Sequence, residues 1–252
     1  RTEHIGKISR FGTDIFKGVR RMESGFCRLA LETLFPRFCL SCGHEGQIFC
    51  LSCMQNWIWR PGPASCPFCG EQGSDRTCET CRQNTFLDGL VCYAPYGNPI
   101  VRQAIGQWKY DGDRSVEFVL KRWLMQSAHR LKPSMETFVV SPVSSHVTRK
   151  RSRGFDQAEI VSIWVSELFL SPMHELLVRT QKTKPQAKQK HVSRSIGSLD
   201  GIFQIHPNVI DLPTHVLLSD DVFTSGATMD AAAKCLKEAG VEEIWGFVIA
   251  KG

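Results

Sequence analysis

The sequence predicts an α/β protein in which a small cysteine-rich segment precedes a larger domain built on a mostly parallel sheet flanked by helices. The first observation behind this prediction is that eight of the eleven cysteines fall in four Cys-x-x-Cys pairs between residues 36 and 88. The second is that apolar, β-rich stretches alternate with helical stretches after residue 89, and strands separated by helices imply parallel pairing. The third is a strand, an acidic pair and a small-residue turn at residues 216–228, which end at the start of a helix.

The composition excludes several classes of protein. The chain has 252 residues with 31 Lys and Arg against 25 Asp and Glu, which is ordinary for a globular protein large enough to bury a core. It contains no run of about eighteen apolar residues, so we expect no membrane-spanning helix. Its first residues lack the apolar region of an export signal, so we expect a cytoplasmic protein.

The paired cysteines predict two structural zinc sites. In a chain without an export signal, this spacing is typical of zinc ligation rather than of disulfides. The pairs repeat at intervals of 27 and 28 residues, and the eight candidate ligands are Cys39, Cys42, Cys50, Cys53, Cys66, Cys69, Cys78 and Cys81. The repeat favours two sequential four-cysteine sites, as in a double zinc ribbon, but a cross-braced pairing stays open. Bound as thiolates to two Zn²⁺, these residues would bring the formal charge of +6 to about +2.

Changes of texture along the chain predict three segments. Residues 1–35 have apolar residues at helical spacing among Arg and Lys, which indicates an amphipathic leader helix. Residues 36–88 contain the cysteine pairs with Gly and Pro between them. Residues 89–252 form the α/β domain. Its predicted strands cover residues 90–96, 137–140, 215–219 and 244–250, and its predicted helices cover residues 100–110, 115–131, 156–170 and 227–239.

The turn after the third predicted strand has the properties of an anion-binding site. Backbone N–H groups at a helix N-terminus favour phosphate, because they lack partners and the helix dipole is positive there. Gly226 lets the backbone approach a ligand closely, and three hydroxyl side chains lie beside it. The residues predicted to hold a phosphate are Thr224, Ser225, Gly226, Ala227 and Thr228.

Asp220 and Asp221 precede this turn and would repel a phosphate directly. Carboxylates suit sugar hydroxyls, or a Mg²⁺ ion shared with a diphosphate. A ligand with a phosphate, ribose hydroxyls and a metal-bound diphosphate satisfies the turn and the acids together. An ordinary strand–turn–helix would not explain two acids after a buried strand, because buried carboxylates without partners are costly.

The turn resembles the phosphoribosyl-pyrophosphate (PRPP) loop of type I phosphoribosyltransferases. From residue 35 to the last residue, the chain resembles the competence protein F (ComF) family, in which a zinc region precedes a phosphoribosyltransferase-like domain. The matching stretches are Leu-Phe-Pro-Arg-Phe-Cys at 34–39, Trp-Lys-Tyr-Asp-Gly at 108–112, Ser-Pro-Val-Ser-Ser-His at 141–146, Arg-Gly-Phe-Asp-Gln-Ala at 153–158, Thr-Lys-Pro-Gln at 183–186 and Gly-Ile-Phe at 201–203. Ser144 stands where the family usually has a second proline, and Ser225 where it more often has threonine.

The resemblance implies a type I phosphoribosyltransferase fold and transfer of ribose 5-phosphate from PRPP, with Mg²⁺, to an acceptor that the sequence does not identify. It implies that Asp220 and Asp221 are the catalytic acids. The pyrophosphate side is expected to involve Lys109, Lys150, Arg151 and Arg153. The resemblance also implies a role in natural transformation, which suggests a second hypothesis. On that hypothesis the chain is a PRPP sensor or a single-stranded-DNA-binding scaffold that performs no chemistry and contacts other DNA-uptake proteins.

The basic surplus of the chain is local. Residues 143–194 contain ten Lys and Arg against four acids. A solvated face is the usual explanation of such a stretch, but a positive groove can also follow the backbone of a single-stranded nucleic acid. We therefore expect single-stranded DNA, if it is a partner, to bind this face.

Overall fold

The computed structural model describes residues 36–56, 62–110, 114–127, 133, 137–143, 154–180 and 201–252. The predicted leader helix within residues 1–35 lies outside the described residues. The described part of the cysteine-rich segment, residues 36–56 and 62–88, contains the short helices α1 (Leu51–Asn56) and α2 (Glu79–Arg82). Each helix follows a turn that is closed by an isolated antiparallel bridge. The bridge is Phe38↔Glu45 before α1 and Ser65↔Gln72 before α2.

A four-stranded parallel sheet forms the centre of the α/β region. Its strands are β1 (Gly89–Pro95), β2 (Val139–Pro142), β5 (His215–Phe223) and β6 (Glu243–Lys251), in the spatial order β1-β6-β5-β2. All three neighbouring pairs are parallel. The prediction of a mostly parallel sheet flanked by helices is confirmed.

Helices cover both faces of this sheet. One face packs against α3 (Pro99–Tyr110), α4 (Arg114–Gln126) and α5 (Gln157–Phe169), and the other packs against α6 (Ala227–Glu238). Side chains alternate between the faces of a strand, so neighbouring residues of β5 enter different cores: Leu217 lies in the first and Leu218 in the second. The continuous apolar pattern of β5 and β6 follows from this burial on both faces.

The largest differences from the sequence prediction concern β5, α4 and one small pair of strands. Strand β5 runs on to Phe223 rather than ending at Ser219, so both acids lie within the strand. Helix α4 begins at Arg114 and ends at Gln126, whereas the sequence predicted a helix over residues 115–131. An antiparallel pair, β3 (Leu177–Arg179) with β4 (Phe203–Ile205), was not predicted, since three residues carry too little periodicity to indicate a strand.

The cysteine-rich segment packs directly on the sheet and its helices. Residues 86 and 87, which lead from this segment into β1, are held by a buried carboxylate: Asp230 Oδ1 accepts hydrogen bonds from Phe86 N at 2.7 Å and Leu87 N at 3.1 Å. Leu90 N donates to Asp75 O at 2.9 Å. The segment is therefore fixed to both α6 and β1. Among the described helices, none is long and apolar enough to cross a membrane.

Candidate functional site

A pocket lies where β5 passes into α6. It forms there because parallel strands end at the same edge of a sheet as the helix N-termini that follow them, which is where ligands bind in open α/β sheets. The pocket is lined by Asp220, Val222, Phe223, Thr224, Ser225, Gly226, Ala227, Thr228 and Met229. The structure thus brings together one acid and all five residues that the sequence predicts to hold a phosphate.

Gly226 gives the turn its shape. It is the N-cap residue of α6, with a φ of 77°, and no side chain caps the helix there. A Cβ at this position would meet Phe223 Cζ and would lie 2.9 Å from Phe68 Cε1. Glycine is therefore required both by the left-handed backbone and by close packing. The first N–H groups of an α-helix have no intrahelical partner, so they are available to an anion in the pocket.

The hydroxyl of Ser225 is a second feature of the pocket that suits a polar ligand. Its Oγ atom is buried and has no hydrogen-bond partner among the described residues. Buried hydroxyls are normally hydrogen-bonded, and one without a partner calls for an explanation. A phosphate oxygen in the turn would accept a hydrogen bond from this hydroxyl.

The two adjacent acids have different surroundings. Asp220 lines the pocket, whereas Asp221 accepts a salt bridge from Lys109, with 2.8 Å between Lys109 Nζ and Asp221 Oδ2. The two acids, which are neighbours in the sequence, therefore have different partners in the structure.

The pKa of Asp220 is raised from its ordinary value of 3.8 to about 8. Burial is the main cause, and the charges of Asp221 and Asp156 add to it, while the Lys109 ammonium acts in the opposite direction. A carboxylate whose ionised form is this unfavourable favours a cation or a hydroxyl donor beside it. Asp220 therefore suits contact with Mg²⁺ or with a ribose hydroxyl.

Asp156 is a member of this acidic group that sequence analysis missed. It is buried, and its Oδ1 accepts from Ala158 N at 3.1 Å as the N-cap of α5. Sequence analysis missed it because capping of the predicted helix already explains an acid at that position. Nothing in the sequence indicates that it lies near Asp220. Lys109 lies beside this group, whereas the other predicted pyrophosphate contacts, Lys150, Arg151 and Arg153, lie outside the described residues.

The eight paired cysteines form two four-sulfur clusters. One consists of Cys39, Cys42, Cys50 and Cys53, and the other of Cys66, Cys69, Cys78 and Cys81, with the sulfur atoms of each set within 4.8 Å of one another. The sequential grouping is therefore the one that the structure forms, rather than the cross-braced one. Four thiolates at this spacing fit a tetrahedral Zn²⁺ site with no open position for a substrate.

Backbone geometry at the two clusters follows the sequence repeat. Cys50 N donates to Cys39 Sγ at 3.4 Å, and Cys78 N donates to Cys66 Sγ at 3.4 Å. Gly43 has a φ of 73° and its equivalent Gly70 a φ of 78°, which lets each loop fold back on its first cysteine. The two sites are thus built in the same way.

The first thiol of each cluster ionises readily. Burial raises the pKa of Cys66, but hydrogen bonds from the backbone N–H groups of Cys69, Cys78 and Phe68 outweigh it and lower the pKa to about 6. The pKa of Cys39 is lowered to about 6 by the equivalent bonds against the same effect of burial. Because the thiolate is the metal ligand, the first cysteine of each cluster is prepared to bind a metal. Burial and the neighbouring cysteine thiols raise the pKa of Cys81, in the second cluster, to about 12, so a bound metal would have to displace its proton.

Comparison with known proteins gives three related competence proteins. Competence protein ComFC of Bacillus subtilis is 28% identical over 182 residues, which cover 69% of the chain and 72% of that protein. Competence protein ComFC of Streptococcus pneumoniae is 25% identical over 218 residues, which cover 82% of the chain and 90% of that protein. Competence protein F of Haemophilus influenzae is 28% identical over 195 residues, with coverage of 72% and 84%. No protein-family model matches the chain. These similarities support the ComF family.

Proposed function

We propose that the chain binds PRPP with Mg²⁺ in the pocket after β5 and acts as a phosphoribosyltransferase-type protein of DNA uptake. The observation that carries the proposal is the turn itself: a left-handed Gly226 at a helix N-terminus, beside the buried and unpartnered Ser225 hydroxyl. Both features suit the 5-phosphate of PRPP. The printed names of the three relatives support a part in competence.

The acidic group supplies the second half of the proposed site. Asp220 would hold ribose hydroxyls and, with Asp221, assist a Mg²⁺ ion that the pyrophosphate also binds, since Mg²⁺ in proteins usually takes one or two carboxylates plus phosphate oxygens. The metal would neutralise charge on the departing pyrophosphate. Lys109, which already lies 2.8 Å from Asp221, is close enough to the acids to contact the pyrophosphate as well.

The proposed reaction needs positioning more than covalent participation by the protein. The bond from the ribose C1 to pyrophosphate breaks, and a bond from C1 to the acceptor's nucleophile forms. Positive charge develops on the sugar ring, so the carboxylates stabilise it electrostatically while the turn fixes the 5-phosphate. The zinc clusters would be structural and would take no part in this step.

Calorimetric titration of the full chain with PRPP tests the proposal, with and without Mg²⁺. We expect Mg²⁺-dependent binding that ribose 5-phosphate reproduces only weakly, because it lacks the pyrophosphate. Wild-type protein without affinity at millimolar PRPP and Mg²⁺ would overturn the assignment. Measurement of pyrophosphate release with purine and pyrimidine acceptors then separates an enzyme from a PRPP sensor, which would bind without release.

Single-stranded DNA is a second proposed partner, favoured by the excess of basic residues in positions 143–194 and by the relatives' names. Nine of the ten basic residues of this stretch lie outside the described residues, so the proposal depends on composition. Affinity should fall steeply with salt, and replacing Lys182, Lys184, Lys188 and Lys190 with Ala should flatten that dependence. Unchanged binding by the quadruple variant would exclude this stretch as the DNA site.

A further inference from the structure

The second cysteine cluster packs against the turn that forms the candidate phosphate site. Phe68, between Cys66 and Cys69, lies edge-on to Phe223, with 5.9 Å between the ring centroids and an angle of 66° between the rings. Phe223 is the last residue of β5. Phe68 also closes off the space beside Gly226, where an added Cβ would lie 2.9 Å from its Cε1 atom.

A second contact joins the same loop to the end of the sheet. Lys251 pairs with Phe223 across β5 and β6, and its Nζ donates to Cys66 O at 3.2 Å and to Ser65 Oγ at 3.4 Å. Both strands that end beside the turn are therefore held by the loop around Cys66. One contact is apolar and the other polar, so they constrain the loop in different directions.

The first cysteine cluster packs elsewhere. Phe49, next to Cys50, contacts Trp123 of α4 with 4.8 Å between the ring centroids. Phe49 and Cys39 belong to the core on the α4 face of the sheet, whereas Phe68 packs against the core on the α6 face. The repeat therefore places two similar clusters in different structural contexts.

The position of Phe68 depends on the loop that carries it. Gly70 N donates to Cys66 O at 3.0 Å, and Cys66 Sγ accepts from Cys78 N at 3.4 Å. Binding of one metal ion by four thiolates fixes such a loop, because metal binding and local folding are coupled. A ring held in this way leaves Phe223 and the turn little space to move, since packed interiors transmit displacements.

We propose that Phe68 is a positioning residue, through which the metal-ordered second cluster holds the phosphate-binding turn in its binding conformation. The inference rests on the proposed function for its ligand, while the coupling between loop and turn can be measured without one. The affinity of the turn for phosphate ligands then depends on the second cluster and on the Phe68 ring.

Three variants of the full chain test the inference: Phe68→Ala removes the ring, Phe68→Leu keeps most of its apolar volume, and Phe49→Ala is the matched control at the first cluster. Each is compared with the wild type by hydrogen exchange of the peptide covering residues 223–229, by zinc content and by titration with PRPP and Mg²⁺. We expect Phe68→Ala to retain its zinc, to exchange faster in this peptide and to bind PRPP on the order of tenfold more weakly, as is typical of coupled sites.

The control and the conservative variant separate positioning from general destabilisation. Phe49→Ala removes a buried ring, so its melting temperature should fall while exchange at residues 223–229 and PRPP affinity stay at wild-type values. Phe68→Leu should recover most of the affinity. Phe68→Leu also keeps the test decisive if Phe68→Ala does not fold. Exchange of residues 223–229 in Phe68→Leu that is moderately faster than in the wild type supports the inference. If Phe68→Leu binds PRPP more weakly than Phe49→Ala while its exchange stays at the wild-type rate, the inference is overturned.

The part played by the metal has its own test. Cys69→Ser should lose one zinc and show the same faster exchange at residues 223–229 as Phe68→Ala, and the double variant should show no further increase. Wild-type exchange at the turn in Cys69→Ser or in Phe68→Ala would overturn the inference. If the wild type fails to bind PRPP while both variants exchange faster, the proposed function fails and the positioning role of Phe68 stands.

Discussion

Lys109 Nζ lies 2.8 Å from Asp221 Oδ2, and only 20% and 9% of the two side chains are exposed. This salt bridge joins the last turn of α3 to β5, next to the pocket. It gives Asp221 a cation as its partner, whereas the preceding residue, Asp220, lines the pocket. The two acids therefore differ in partner, and each substitution near them should have a distinct effect.

Substitutions of the two members of this salt bridge, Asp221 and Lys109, should move the pKa of Asp220 in opposite directions. The Asp221 charge raises that pKa and the Lys109 charge lowers it. Asp221→Asn should therefore lower the pKa of Asp220 from about 8, and Lys109→Met should raise it further. Titration of the aspartate carboxyl carbons by NMR measures both shifts. Equal pKa values in the two variants would contradict the arrangement.

The stability of the unliganded protein should fall as pH rises toward 8 because of Asp220. The pKa of Asp220 in the folded protein, about 8, is above the ordinary value of 3.8. Between these pH values the folded state keeps a proton on Asp220 that the unfolded state has lost. The contribution of Asp220 is fully present below the ordinary pKa and is lost as pH rises through the folded pKa. Asp220→Asn removes this dependence.

The measurement is the melting temperature of Asp220→Asn minus that of the wild type, at low salt from about pH 6, where zinc thiolates persist, to about pH 9. We expect the difference to grow with pH. A difference that is constant over this range would show that Asp220 is already ionised in the folded protein.

Purified protein should contain two Zn²⁺ ions per chain, one in each four-sulfur cluster. Cys39→Ser and Cys66→Ser should each lose one ion, because each removes the most buried ligand of a different cluster, and a structural site needs all four ligands. Elemental analysis of protein prepared without chelator measures the content. A single substitution that releases both ions would contradict two independent sites.

Gly226→Ala should prevent ligand binding at the turn while leaving the zinc content at two. The added Cβ would meet the Phe223 ring and would strain a backbone with a φ of 77°. We expect the free energy of unfolding to fall by about 1 to 2 kcal/mol and PRPP binding to fall below detection. Gly240→Ala is the control, since Gly240 also has a positive φ of 105° but has open space around its Cα. Equal PRPP affinity in the two variants would exclude the turn as the site.

Asp230→Ala should destabilise the junction between the cysteine-rich segment and the α/β region. Asp230 is 2% exposed, and its carboxylate accepts from Phe86 N and Leu87 N. Leaving these donors without an acceptor should lower the free energy of unfolding by about 2 to 3 kcal/mol. Asp230→Asn keeps an acceptor oxygen and should lose less. Urea denaturation measures both values, and equal losses would contradict the role of the acceptor.

Local patterns in the sequence account for much of the fold. The parallel sheet followed from alternation of apolar strands with helices, because each element must bury one face. Helix α5 was predicted to within one residue at each end, since Asp156 is a capping residue before an apolar stripe. The strands β3 and β4 were missed, because they consist of three residues each and pair with each other across a long separation in sequence.

The sequence by itself determined which residues form the turn and the cysteine clusters, because both depend on short-range spacing. Glycine at position 226, hydroxyls around it and four Cys-x-x-Cys pairs specify local backbone geometry and ligand chemistry without reference to the rest of the chain. Tertiary structure alone decided that Asp221 meets Lys109, that Asp156 lies near Asp220 and that Phe68 covers the turn. These relationships join residues 64 to 158 positions apart, and chain packing rather than any local preference brings such residues together.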